Sequence, residues 1–155
     1  MASRQLLIFK LNNIDFGVDI SLIDSIITPK ETVKLPNTPD FIEGLLSLRG
    51  KVYTIFNLRK KFNFPTQEIT DSTKIVIVSV NSMMIGFITD EVSEIIRVEN
   101  EDIETDSQTM VNLNKKYLSG IAKLGEKIIL ILELSQTLSL VDDIIPEKVV
   151  KVKTK

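Results

Sequence analysis

The sequence predicts an all-β structure of two packed lobes. Three observations carry that prediction: an excess of β-branched side chains, short apolar runs separated by turn residues, and an internal repeat. The 155 residues include 22 Ile, 13 Val and 12 Thr but only two Ala. Branching at Cβ stiffens χ1, which disfavours helix and suits the pleated surface of a strand. Apolar runs at 6–11, 15–18, 25–28, 52–57, 74–80, 84–89, 95–98 and 127–132 read as strands. Between them lie the turn signals Asn12-Asn13, Pro36 to Pro39, Arg49-Gly50, Asn81-Ser82 and Leu124-Gly125. Short strands at such spacing belong to sandwiches and barrels.

Three segments have the pattern of short helices: 40–45, 58–62 and 134–140. Pro36-Asn37-Thr38-Pro39 enforces an extended approach to Asp40, a good N-cap for the first of them. In the second, Leu58 and Phe62 face inward at i and i+4, which leaves Arg59, Lys60 and Lys61 in water. The polar stretch 63–73 reads as a surface loop, and the Lys/Val alternation from Glu147 as a frayed end of the 141–155 tail.

The repeat sets the domain organisation. Phe16-Gly17-Val18 aligns with Ile85-Gly86-Phe87 at an offset of 69, and Ile23–Ile27 with Val92-Ser93-Glu94-Ile95-Ile96 at the same offset. Further on, Gly44 to Val52 aligns with Gly120 to Ile128 at an offset of 76, continuing through Ile55/Ile131 and Leu58/Leu134. Seven additional residues therefore lie between 97 and 119. Copies of about 6–70 and 74–140 are each too small for a secure core of their own. They are expected to pack as interlocked halves of one domain, with a groove at the seam.

Composition closes many functional classes. There is no Cys and no His, so disulfides, thiolate sites, a thiol nucleophile and the usual general base are absent. Nineteen Lys and Arg against 21 Asp and Glu leave a net charge of -2, which opposes a general nucleic-acid binder. The six Gly form no phosphate-binding pattern. Asp102, Glu104 and Asp106 have the spacing of a calcium loop, but Ser107 replaces its Gly and Leu113 its bidentate Glu. The start of the chain lacks the apolar run of a secretory signal, which reads as a cytoplasmic protein. No metal or cofactor is expected, and no membrane insertion.

Several segments together resemble a known family. Asn37-Thr38-Pro39-Asp40-Phe41-Ile42-Glu43-Gly44, Leu48-Arg49-Gly50-Lys51-Val52 and Asn57-Leu58-Arg59 are similar to the signature of the CheW-like domain. Gly17-Val18-Asp19-Ile20, the run from Ile85 to Val92 and that from Tyr117 to Leu124 follow in family order, so the resemblance spans about 6–140. It implies two small five-stranded SH3-like β-barrels packed side by side. It also implies a non-catalytic adaptor that holds the regulatory domain of a chemotaxis histidine kinase to the cytoplasmic helical hairpin tip of a chemoreceptor. The adaptor would thereby be recruited to membrane-associated receptor arrays. On that resemblance, Ile23, Ile26, Arg49 and Val98 are candidates for a receptor groove, and Leu35, Pro36, Phe41 and Gly44 for kinase contacts. One departure is Ser25, where relatives often carry Glu. A small-ligand-binding barrel with a pocket at the seam is the alternative reading.

Overall fold

Two stretches, Leu6-Leu7-Ile8-Phe9 and Ile75-Val76-Ile77-Val78, are apolar without alternation, a pattern that requires cover on both faces of a strand. In the computed structural model, which describes residues 2–105 and 117–140, both stretches are buried throughout. Each lies in the middle of its sheet. The elements run β1 (Ser3–Leu11), β2 (Ile14–Asp19), β3 (Ile23–Ile27), β4 (Ile42–Leu48), β5 (Lys51–Asn57), α1 (Leu58–Lys61), β6 (Lys74–Val80) and β7 (Met83–Thr89). They continue with β8 (Glu91–Glu99), β9 (Ile103–Glu104), β10 (Leu118–Leu124), β11 (Lys127–Leu132) and α2 (Leu134–Thr137). Single 3₁₀ turns occupy Ile20–Leu22 and Asn100–Asp102.

All eight strands read from the sequence are present, and so are the short helices after residues 57 and 133. The helix expected at 40–45 is instead the start of β4. Ile42, Gly44 and Leu46 alternate into the core, and pairing with β5 overrides the local capping signal at Asp40. Expectations for the 141–155 tail concern residues outside the described ones, as does the part of the insertion at 106–116.

One sheet has the order β3-β6-β7-β5-β4, the other β8-β1-β2-β11-β10-β9. The first holds five strands; the two-residue β9 makes the second six. Neither sheet is built from one repeat copy. Hairpin β1–β2 of the first copy sits between β8 and β11 of the second, and hairpin β6–β7 sits between β3 and β5 of the first. The register repeats as well. Phe16 pairs in parallel with Leu130 as Ile85 does with Thr54, and the bulges at Ile8/Phe9 and Ile23/Ser25 correspond. Among the described residues the chain passes between sheets at two places, Ile20–Leu22 and Asp90.

The exchanged hairpins explain the unbroken apolar runs. Leu6 and Ile8 point into one lobe with Ala122, Ile129 and Ile131, while Ile75 and Ile77 point into the other with Leu46, Tyr53 and Ile55. Leu7, Phe9, Val76 and Val78 point between the lobes into a shared core, where the Phe9 and Phe87 rings lie 5.3 Å apart. Gly44 is closely packed elsewhere, where β4 meets the Thr32-Val33 segment. Its φ is +149°, and a Cβ there would lie 2.6 Å from the Val33 carbonyl oxygen.

Two of the three cations of α1, Arg59 and Lys61, are withdrawn from water, while Lys60 stays partly exposed. Lys61 is 2% exposed; its ammonium lies 4.0 Å from the Phe41 ring centroid and donates to the Ser139 carbonyl. Lys60 lies 3.7 Å from an Asp40 carboxylate oxygen. Arg59 grips Asp90 with two bonds, Nε to Oδ1 at 2.9 Å and Nη2 to Oδ2 at 2.7 Å. It also donates to the Pro65 carbonyl and to Gln67 of the surface loop. Asp90 in turn accepts the Asn12 backbone N–H at 2.8 Å, and its own N–H donates to the Lys10 carbonyl. The Asp90 carboxylate draws in Arg59, and the Phe41 ring and the Ser139 carbonyl draw in Lys61.

Burial favours the neutral form of Asp90. The bonds from Arg59 and Asn12 outweigh it and hold the carboxyl below its ordinary value of 3.8. A lowered folded value stabilises the protein above the unfolded pKa, and that contribution is lost as pH falls through the folded value. The melting-temperature gap between wild type and Asp90→Asn is therefore expected to shrink below about pH 4. A gap constant from pH 7 to pH 3 would contradict this assignment. In the core, Ile55 is fully buried between Gly44 and Gly86. Ile55→Ala should cost about 2–5 kcal/mol in denaturant unfolding, and a change within error would place this side chain outside the core.

Candidate functional site

Hydrogen-bonded β-sheet leaves function to side chains on outer strands and turns. Among the described residues no group of three Asp or Glu is placed to hold a metal ion. The perturbed pKa values of Lys10, Asp19, Arg59, Asp90 and Lys123 each involve an ion-pair partner: Asp15, Arg4, Asp90, Arg59 and Glu104. Such pairs join neighbouring elements of the fold. The chemistry on offer is recognition through apolar and charged surface.

The exposed aliphatics follow the repeat. Ile26 on β3 and Ile95 on β8 are equivalent positions, 42% and 55% exposed. Val52 on β5 and Ile128 on β11 form a second equivalent pair, 54% and 56% exposed. Ile26 pairs with Val76 and Ile95 with Leu7, whose side chains enter the shared core. Each isoleucine therefore extends a buried apolar row onto the outermost strand, where no further strand among the described residues covers it. This is how an edge strand becomes an apolar docking rim at the seam.

The four groove candidates do not converge. Ile23 is half-buried and packs on the shared core, while Ile26 is exposed beside it on β3. Arg49 is exposed at the tip of the β4–β5 turn with φ 53°, at the position where the second copy has Gly125 with φ 65°. Val98 is corrected: it is 0% exposed and packs inside the six-stranded lobe with Leu6, Ile8 and Ile129. Strand alternation sends Ile96 and Val98 inward and leaves Ile95 outside. The signal for Ile95 was already in the repeat, which places it opposite Ile26.

Of the kinase-contact candidates, Pro36 is exposed and Leu35 half-buried in the same turn. Phe41 and Gly44 are corrected to structural roles. Phe41 is 6% exposed, stacked on Phe56 at 5.8 Å and capped by Lys61. Gly44 is buried against Val33. Ser25, at the departure from the family pattern, has a buried hydroxyl with no hydrogen-bond partner in the structure. An apolar cleft of about 340 Å³ opens at the other side of the seam, lined by Phe16, Phe62, Phe64, Tyr117 and Leu130 among others. None of the eight candidates lines it.

Paired small barrels with repeat-related apolar rims define a protein-binding module. The chain belongs to the CheW-like domain family, whose profile matches residues 5–142. It is 30% identical over 136 residues to a chemotaxis protein CheW of Klebsiella aerogenes, covering 88% of this chain and 82% of that protein. A Helicobacter pylori chemotaxis protein CheW is 28% identical over 130 residues, covering 84% and 78%. The crystal structure of the scaffolding protein TtCheW from Thermoanaerobacter tengcongensis superposes with a TM-score of 0.78 at 30% identity, covering 86% of each chain. The two lobes here are accordingly the two SH3-like barrels of that fold.

Proposed function

We propose that the chain is a non-catalytic scaffold of chemotaxis signalling that couples chemoreceptor helical tips to the regulatory domain of a chemotaxis histidine kinase. The observation that carries this reading is the family match across 5–142, which spans both lobes without interruption. Its relatives, a chemotaxis protein CheW and a scaffolding protein, are of the same class. Helix-in-groove recognition suits the receptor: Ile26 and Ile95 offer apolar anchors at the seam, and Arg49 a donor for carbonyls or carboxylates. Kinase contact falls to the lobe ends, with Pro36 and Leu35 in reach of a docked domain. The ligand-binding barrel is not favoured, because these relatives are chemotaxis and scaffolding proteins.

The test is titration with a kinase regulatory domain and, separately, with a receptor-tip fragment. Saturable binding to each, without competition, is expected; binding to neither would overturn the coupling role. Ile26→Asp, Ile95→Asp and Arg49→Glu are surface changes that should leave the melting curve nearly unchanged. Each isoleucine variant should weaken the receptor fragment about tenfold or more. Arg49→Glu should weaken at least one of the two partners. Full affinity in all three variants would remove these side chains from the interface.

A further inference from the structure

The backbone repeat is nearly symmetric, but the two crossings between lobes are not. At the second crossing, Arg59 holds Asp90 with two bonds and ties it to the surface loop, while Asp90 accepts the N–H of Asn12 from the opposite lobe. Arg59 belongs to the five-stranded lobe and Asn12 to the six-stranded one, so this cluster is a cross-lobe clamp with side chains only 11% and 18% exposed. By the repeat offsets of 76 and 69, Arg59 corresponds to Ser135 and Asp90 to Ser21. Among the described residues the bonds there are local: the Ser135 hydroxyl donates to Glu133, and the Ser21 backbone N–H to Asp19. The nearby ion pair, Arg4 with Asp19 at 3.6 Å, joins β1 to β2 within one sheet and crosses nothing.

Empty space does not distinguish the two crossings: Arg59 and Asp90 line spaces of about 80 Å³ and about 430 Å³, and Ser21, Ser119 and Glu133 line one of about 240 Å³. At the first crossing the Ser119 hydroxyl is buried with no hydrogen-bond partner among the described residues. The shared aromatic core and the bond from the buried Lys61 ammonium to the Ser139 carbonyl also join the lobes, so what differs between the two crossings is the Arg59–Asp90–Asn12 bonding.

We propose that Arg59 is a positioning residue that makes the molecule a one-sided hinge. The crossing at Asp90 is the fixed edge, and the crossing at Ile20–Leu22 is the flexing one. The angle between the lobes, and with it the spacing of Ile26 from Ile95, is set there. The proposal does not depend on which partners bind.

Because the chain has no Cys, Ser47→Cys and Glu126→Cys, both exposed and on different lobes, accept spin labels without background. Three labelled full-length proteins are compared by pulsed electron–electron resonance. Arg59→Ala should broaden the inter-lobe distance distribution, and the Asn12 amide should lose its exchange protection. Building a clamp at the other crossing, with Ser21→Asp and Ser135→Arg, should narrow the distribution below that of the wild type. A wild-type distribution already as narrow as that double variant overturns the proposal. So does an unchanged width in folded Arg59→Ala. If Arg59→Ala does not fold, the double variant alone decides.

Discussion

The central constraint of this structure is the exchange of hairpins β1–β2 and β6–β7. Each has strand partners on both sides and packed side chains on both faces, so each must be apolar at consecutive positions. Everything else follows from satisfying those two faces. One face fills the interior of a lobe and the other fills the layer between lobes. Neither lobe can therefore be completed without strands from the other repeat copy. Mutual dependence of this kind converts two small cores into one cooperative unit, which neither copy could supply alone.

The exchange also separates what is symmetric from what is specific. Backbone register, bulges and turn positions repeat, because pairing geometry dictates them. Side chains that pairing does not dictate diverge. Arg49 stands where the other copy has Gly125, and the Arg59–Asp90 pair stands where it has two serines. Phe41, gripped by Lys61, corresponds to Tyr117. A duplicated backbone thus carries two unlike surfaces.

Fold class and strand positions were legible in the sequence because period and turn chemistry are local signals. β4 was not, since Asp40 after Pro39 is a genuine helix-start signal, and only pairing with β5 reverses it. Exposure was less legible than existence. Val98 and Ile95 are both aliphatics on one strand, and which of them faces water depends on the β1 register, a contact distant in sequence. The cations of α1 misled for a related reason. A solvated run and a buried run of Arg and Lys read alike until the aromatic rings and the carboxylate of Asp90 are placed around them.

The route of the chain imposes an order of assembly. The five-stranded sheet is contiguous, from Ile23 to Thr89, whereas the six-stranded one joins Ser3–Asp19 to strands that begin at Glu91. During synthesis the first hairpin therefore emerges long before β8 and β11, and must wait while the inserted lobe closes. Its exposed edges and apolar faces are unsatisfied throughout that interval. The parallel pairing of Phe16 with Leu130, the most distant in sequence among the described strands, can form only after β11 has emerged. The last described strand to arrive is thus the one that closes the open β2 edge of the first hairpin.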